Sequence, residues 1–135
     1  MGAVDFSAWV APDLEIPLGG RIYTVRPPSV EDAKKVLAAA VRGEVKLGLL
    51  QGDVPDEVQA VLDTIGPDDH PALGATYAQM RDDGVDSITI DRIGYYAVFF
   101  WARGKQYADA LARLLWAPRD LDEPDTPGGD AAPKA

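Results

Sequence analysis

Apolar and polar residues alternate most regularly in the stretch DLEIPLGGRIYTVR, which predicts a β-hairpin near the start of the chain. Its two runs flank Gly19 and Gly20, and glycine tolerates the positive φ angles that a tight two-residue turn requires. Pro17 has no N–H to donate to the ladder and must face outward. A turn at the glycines gathers four apolar residues on one face of the hairpin, namely Leu14, Ile16, Tyr23 and Val25.

The rest of the apolar pattern has the spacing of α-helices. Asp5 is expected to begin a short helical turn before the hairpin. Ser29, followed three residues later by Asp32, resembles a capping box, and Gly43 is the expected stop of the helix that it starts. The predicted helices are Val30 to Arg42, Asp56 to Ile65, the stretch HPALGATYAQMRDDG up to Gly84, Ser87 or Thr89 to Ala102, and Lys105 to Trp116. Together these elements predict a mainly α fold, a compact helical domain over residues 1–117 with an N-terminal β-hairpin.

The fourth predicted helix contains ten consecutive uncharged residues, Ile93 to Ala102, five of which are aromatic. A helix that is apolar nearly all round is expected to be surrounded by neighbours. Two interpretations remain open. Either these side chains fill the core, or part of this helix and the next forms a contact surface, where aromatic residues are enriched. The candidate protein-binding residues are Tyr95, Tyr96, Phe99, Phe100, Trp101, Tyr107, Leu111 and Trp116.

From Pro118 onward the chain has no periodicity, and it contains four prolines and five acidic residues. Such a segment buries too little apolar surface to offset the entropy lost on ordering. We therefore expect residues 118–135 to form a disordered acidic tail.

Composition and charge exclude several classes of function. Hydrophobic residues make up 47% and charged residues 26% of the chain, as expected of one globular domain. The net charge of -9 repels a phosphate backbone, so we expect no nucleic-acid partner. The absence of cysteine fits a reducing cytosol. The N-terminus does not resemble a signal peptide, and the longest apolar run is well short of the roughly 20 residues that cross a bilayer, so we expect no membrane partner.

Candidate chemistry is sparse. His70 is the one histidine of the chain and follows Asp68 and Asp69, a cluster that could serve a small metal-dependent enzyme. Adjacent residues do not share a helix face, however, and no second His or Cys supplies a ligand spacing, so a helix-entry loop is the favoured interpretation. No phosphate loop, nucleophile elbow or dinucleotide fingerprint occurs. We expect neither an enzyme nor a bound cofactor or metal.

Three stretches in this order resemble the short tail assembly chaperones of long-tailed actinobacterial phages: DLEIPLGGRIYTVRPPSVEDAKKV, LGATYAQMRDDGV and ITIDRIGYYAVFFWARGKQYADALARLLW. The likeness spans about residues 5 to 117. Its most specific parts are the small-turn hairpin followed at once by Pro-Ser and a helix, and the aromatic helix that follows DGV. It is a likeness of family patterns and carries no catalytic signature.

The resemblance implies a non-catalytic role in virion assembly, in the cytoplasm of the host. Such proteins bind the long hydrophobic tape-measure protein before the tail tube polymerises around it, and they leave before the tail is complete. It further implies a frameshift-extended form whose extra domain recruits the tail tube protein. Separately, the all-round apolarity of residues 93–102 predicts that the last two helices mediate self-association into a homo-oligomer or hold an apolar client. An alternative from another class is an acidic inhibitor or adaptor protein that occupies a basic host surface; it would gather its carboxylates on one helix face, whereas here they are scattered.

Overall fold

A computed structural model describes residues 5–116, apart from the side chains at positions 8 and 9. In chain order it contains a 3-10 helix Phe6–Trp9, strands β1 Leu14–Leu18 and β2 Arg21–Val25, and helices α1 Val30–Lys46, α2 Asp56–Leu62, α3 Ala75–Asp82, α4 Ser87–Arg103 and α5 Lys105–Trp116. The predicted mainly helical fold with an N-terminal β-hairpin is confirmed. The predicted tail, residues 118–135, lies outside the described residues.

The hairpin has the predicted register. Leu18 pairs with Arg21, and the pairing continues to Leu14 opposite Val25. Gly19 and Gly20 have φ angles of 57° and 85°, the left-handed conformation that the tight turn requires. The predicted inner face is buried at Leu14, Tyr23 and Val25 and half-buried at Ile16, while Pro17 is exposed.

Two side-chain hydrogen bonds join the hairpin to α3. The Tyr23 hydroxyl donates to Asp83 Oδ2 over 2.8 Å, and the Thr76 hydroxyl donates to the carbonyl oxygen of Thr24 over 3.1 Å. The Arg21 guanidinium also forms an ion pair with Asp83. Strand β2 is therefore tied to α3 and to Asp83, the residue that follows it.

The predicted end of α1 at Gly43 is wrong, since the helix continues to Lys46. Gly43 lies where α4 crosses α1: a Cβ atom there would be 2.8 Å from the Tyr95 hydroxyl oxygen and 3.0 Å from Phe99 Cζ. The glycine therefore permits close helix contact instead of stopping a helix. Gly48, with φ of 79°, follows the actual end.

Three other helix ends have the caps that the local sequence provides. The Ser29 hydroxyl accepts from the Asp32 N–H over 3.2 Å, as the capping-box pattern predicts. Asp86 caps α4 by accepting from the Thr89 N–H over 2.9 Å. The C-cap of α4 is Gly104, with φ of 102°. Helix α2 ends at Leu62, three residues before the predicted end at Ile65. Hydrogen-bonded turns follow the helix as far as Ile65.

Two apolar clusters form the core of the described residues. The first joins the hairpin to α1, α3 and α4 and includes Tyr23, Leu73 and Met80. The second lies between α1, α4 and α5 and consists of Ala40, Phe99, Ala108 and Leu111. Helix α4 contributes to both clusters, which explains why it is apolar nearly all round. None of the helices described has the combination of length and apolar character that a membrane crossing requires.

Candidate functional site

The eight candidate protein-binding residues all lie at least half-buried. Phe99 and Leu111 are core residues, with only 1% and 7% of their surface exposed. The other six are half-buried: Tyr95, Tyr96, Phe100, Trp101, Tyr107 and Trp116. Most of the aromatic surface of α4 is therefore used inside the domain.

The indole N–H of Trp101 anchors this side chain inside the domain. Its indole Nε1–H donates to the carbonyl oxygen of Ala72 over 3.0 Å. The ring of Phe100 meets the Trp101 ring edge-on, with ring centroids 4.9 Å apart. Both side chains pack against the first apolar cluster. Their position is that of core residues with one edge in solvent.

Helix α5 is fastened to α4 by a polar contact at Asp109. The Tyr96 hydroxyl donates to Asp109 Oδ1 over 2.5 Å, and Lys105 Nζ binds Asp109 Oδ2 over 2.6 Å. Burial raises the pKa of Tyr96 well above its ordinary value, and the Asp109 carboxylate raises it further. Tyr96 therefore remains a neutral donor at physiological pH.

A buried carboxylate, Glu44 of α1, joins three helices. It is 4% exposed and accepts two hydrogen bonds from the Arg103 guanidinium, over 2.9 and 2.7 Å, and one from the Tyr107 hydroxyl, over 2.7 Å. Arg103 ends α4 and Tyr107 lies in the first turns of α5. The Arg103 hydrogen bonds hold the pKa of Glu44 below its usual range, and burial together with the Glu44 carboxylate raises the pKa of Tyr107 to about 12.

Trp116, at the end of α5, packs against residues of α4. Its ring lies edge-on to Tyr95, with centroids 6.0 Å apart, and the Arg92 guanidinium carbon is 5.8 Å from its centroid. A cation over an aromatic face is favourable, most of all with indole.

Exposed apolar side chains lie elsewhere. The large ones are Phe6, Val10, Ile22, Val30, Leu37, Leu47, Leu49, Leu50, Ile88 and Leu114. Three of them follow α1 within four residues, and we refer to Leu47, Leu49 and Leu50 as the leucine turn. These three residues are 37%, 53% and 42% exposed.

The leucine turn has a defined backbone conformation. The N–H groups of Leu49 and Leu50 both donate to the carbonyl oxygen of Glu44, over 2.8 and 3.2 Å, and the Leu47 N–H donates to Gly43 over 2.9 Å. The Glu44 side chain is itself held by Arg103, so the residue that accepts these backbone hydrogen bonds is anchored to α4. The leucine turn therefore has a hydrogen-bonded backbone and exposed side chains.

A cleft of about 310 Å³ lies between α1 and α4. Small or apolar residues at one-turn spacing line it from both helices: Ala39 and Gly43 from α1, Gly94 and Val98 from α4. A side chain at Gly94 would crowd the ring of His70, since a Cβ atom there would be 3.1 Å from His70 Nδ1. The glycine thus leaves room for His70, which also lines the cleft.

His70 has structural neighbours. Its ring centroid is 4.4 Å from that of Tyr77, and its Nε2 is 3.9 Å from Asp91 Oδ1. Asp69 faces Lys35 over 3.5 Å, and Asp68 is exposed. Within residues 5–116, no group of three or more His, Asp or Glu side chains is arranged to hold a metal ion.

Comparison with known proteins places the chain in a family. The family model described as a domain of unknown function, DUF7426, matches residues 4–135. The chain belongs to this family. No curated protein and no solved structure matches the chain significantly. The family match covers the helical body of this DUF7426 domain together with the segment that follows Trp116.

Sequence reasoning missed the leucine turn of the DUF7426 domain. The stretch EVKLGLLQGD has no helical or strand period, so it predicts only a loose connection. A usable signal was nevertheless present, because three leucines stand around Gly48 and before Gly52, where no regular element can bury them. Apolar residues in a short turn between glycines are candidates for a contact surface.

Proposed function

We propose that this protein is a tail assembly chaperone of a long-tailed phage, which binds the hydrophobic tape-measure protein before the tail tube forms around it. The observation that carries the proposal is the leucine turn, an apolar surface that a folded body presents to solvent. The sequence resemblance supplies the identity of the client. The client-binding surface that we favour is therefore the leucine turn.

The size of this surface suits a reversible interaction. The exposed fractions of the three leucines add up to somewhat more than one fully exposed leucine side chain. Burying that apolar surface against a client is worth roughly 2–4 kcal/mol. That is enough to favour an apolar client but too little to hold it permanently. A defined turn also loses little conformational freedom on binding. Both properties fit a chaperone that leaves before the tail is complete.

The eight residues singled out from the sequence form a second proposed contact region. Phe99 and Leu111 would act indirectly, by holding α4 against α5. The half-buried rings, among them Tyr95 and Trp116, leave one edge in solvent for a client or a second copy of the chain. Several copies on one long client would gain avidity from the shared binding.

The remaining parts of the proposal concern the assembly pathway in the host cytoplasm. The protein acts as a homo-oligomer and not as an enzyme, and it is absent from the finished virion. A frameshift-extended form adds a domain that binds the tail tube protein. The segment after Pro118 then acts as a tether, which keeps tail tube subunits near the client.

Co-expression with the tape-measure protein of the same genome tests this proposal. We expect the tape-measure protein to be insoluble alone, and to be soluble and to copurify when the chain is present. Mass spectrometry of purified virions should detect the tape-measure protein and not the chain. A tape-measure protein that stays insoluble, or a chain found in virions at structural copy number, would contradict the proposal.

A further inference from the structure

The cleft between α1 and α4 is shaped to take one large side chain. Its volume of about 310 Å³ lies at the lower end of the range for ligand sites, which are concave and mostly apolar. Gly43 and Gly94 line the cleft without side chains of their own, and Tyr95 and His70 pack beside them. A ring or a long aliphatic chain fits such a space, since a cavity of about 150 Å³ already holds a benzene ring.

Within the described residues, the cations that line the cleft form no ion pairs, whereas each of its carboxylates faces a basic side chain. Arg42 and Lys46, one turn apart on α1, are both exposed, and neither forms an ion pair with any residue in the described range 5–116. On the opposite side, Asp69 faces Lys35 and Asp91 faces His70. Other cations within residues 5–116, among them Lys34 and Arg113, also form no ion pair. Arg42 and Lys46 differ from these because they line the cleft side by side, where together they favour an anionic group on whatever enters.

We propose that this cleft binds a segment of a partner protein in which one large apolar side chain stands next to Asp or Glu. The apolar side chain enters between Gly43 and Gly94, and the carboxylate meets Arg42 and Lys46 at the edge. The site is separate from the leucine turn and does not depend on the partner being a tape-measure protein. It gives the protein selectivity for sequence, which an apolar surface alone provides poorly.

Titration of the ¹⁵N-labelled full chain with capped dipeptides tests the site by NMR. The probes are acetyl-Trp-Glu-amide, acetyl-Trp-Gln-amide and acetyl-Trp-Lys-amide. We expect the first probe to shift the backbone amides of Gly43 and Gly94. We also expect it to bind about tenfold more tightly than the second, because its carboxylate makes two exposed charge contacts, with Arg42 and Lys46. The Lys probe should bind most weakly. Raising the salt concentration should reduce the difference between the Glu and Gln probes, because exposed charges are screened.

Variants assign the effect to the cleft. Arg42→Gln combined with Lys46→Gln should weaken the Glu probe about tenfold, because two exposed charge contacts are lost. The matched control, Lys34→Gln with Arg113→Gln, removes two exposed cations that do not line the cleft and should leave its affinity unchanged. All four side chains are exposed, so both variants should fold.

The proposal is overturned if the probes shift neither the Gly43 nor the Gly94 amide signal, or if the Glu and Gln probes bind equally well. It is also overturned if the control variant weakens binding of the Glu probe as much as the Arg42 and Lys46 variant does. A fourth contrary outcome is tighter probe binding after Leu121→Ser in the full chain. The last outcome would identify the chain's own acidic stretch around Leu121 as the occupant of the cleft, in place of a partner.

Discussion

Replacing Arg103 by methionine should destabilise the fold by leaving a buried carboxylate without its cation. Glu44 is almost fully buried, and Arg103 supplies two of its three hydrogen bonds. Methionine keeps much of the length and the apolar packing of the arginine stem. The substitution therefore removes the charge and the hydrogen bonds with little change in volume.

The expected loss of unfolding free energy is about 2–3 kcal/mol. Breaking a buried ion pair by removing one partner costs about 3–5 kcal/mol, because the other charge stays buried. Two features reduce that cost here. The Arg103 side chain is 32% exposed, so water can reach the carboxylate from that side, and the Tyr107 hydroxyl continues to donate to Glu44.

Urea denaturation of both proteins at pH 7 and pH 4, followed by tryptophan fluorescence, measures the effect. In the wild type the pKa of Glu44 is lowered from its ordinary 4.5, so its stabilising contribution is present above that value and is lost as pH falls through the lower folded pKa. In Arg103→Met, burial without a cation raises this pKa, so protonation relieves the destabilisation. The difference between the two proteins should therefore be largest at pH 7 and smaller at pH 4.

A double variant provides the control. Glu44→Leu together with Arg103→Met removes both charges, and replacing a buried pair by apolar groups is often nearly neutral. The double variant should therefore be more stable at pH 7 than Arg103→Met alone. The reasoning fails if Arg103→Met costs less than about 0.5 kcal/mol, a change typical of ordinary surface positions, or if its cost is the same at both pH values.

Three further predictions concern other contacts of α4 and α5. Trp101→Phe removes the hydrogen bond to the Ala72 carbonyl and should cost about 1–2 kcal/mol by urea denaturation, whereas an unchanged midpoint would contradict that bond. Gly43→Ala puts a Cβ atom 2.8 Å from the Tyr95 hydroxyl oxygen and should cost about 1–3 kcal/mol, although alanine is the better helix former; a more stable variant would mean that the helices are further apart. Ultraviolet titration should show Tyr107 ionising with a pKa of about 12, a transition that Tyr107→Phe removes. Because this pKa is raised from 10.0, the contribution of Tyr107 to stability is present below pH 10 and is lost as pH rises towards 12, and a Tyr107 that titrates at its ordinary pKa would contradict the contact with Glu44.

The sequence predicted the turns and breaks that depend on the conformation of a few neighbouring residues. Gly19 and Gly20 predicted the hairpin and its register, because only a two-residue turn with positive φ angles matches the alternation. Gly104 predicted the break between α4 and α5 for a related reason. These features depend on neighbours in the sequence and need no knowledge of tertiary contacts.

Features that depend on distant residues were not predictable in this way. A glycine that stops a helix and one that admits a neighbouring helix look alike in sequence, and Gly43 is of the second kind because Tyr95 and Phe99 lie over it. The polar contacts of Glu44 join residues 59 and 63 positions apart. Whether the aromatic rings are core or surface likewise depends on where the hairpin and α1 pack. The sequence therefore left both interpretations open.

The most direct test of the central claim measures the affinity of the purified chain for a labelled tape-measure fragment by fluorescence anisotropy. Leu49→Ser combined with Leu50→Ser removes most of the leucine turn, and the matched control, Ile88→Ser combined with Leu114→Ser, removes two residues that are 65% and 76% exposed elsewhere. We predict binding by the wild type, at least about tenfold weaker binding by the leucine-turn variant, and unchanged binding by the control. Equal affinity of the two variants, or no binding by the wild type, would contradict the account.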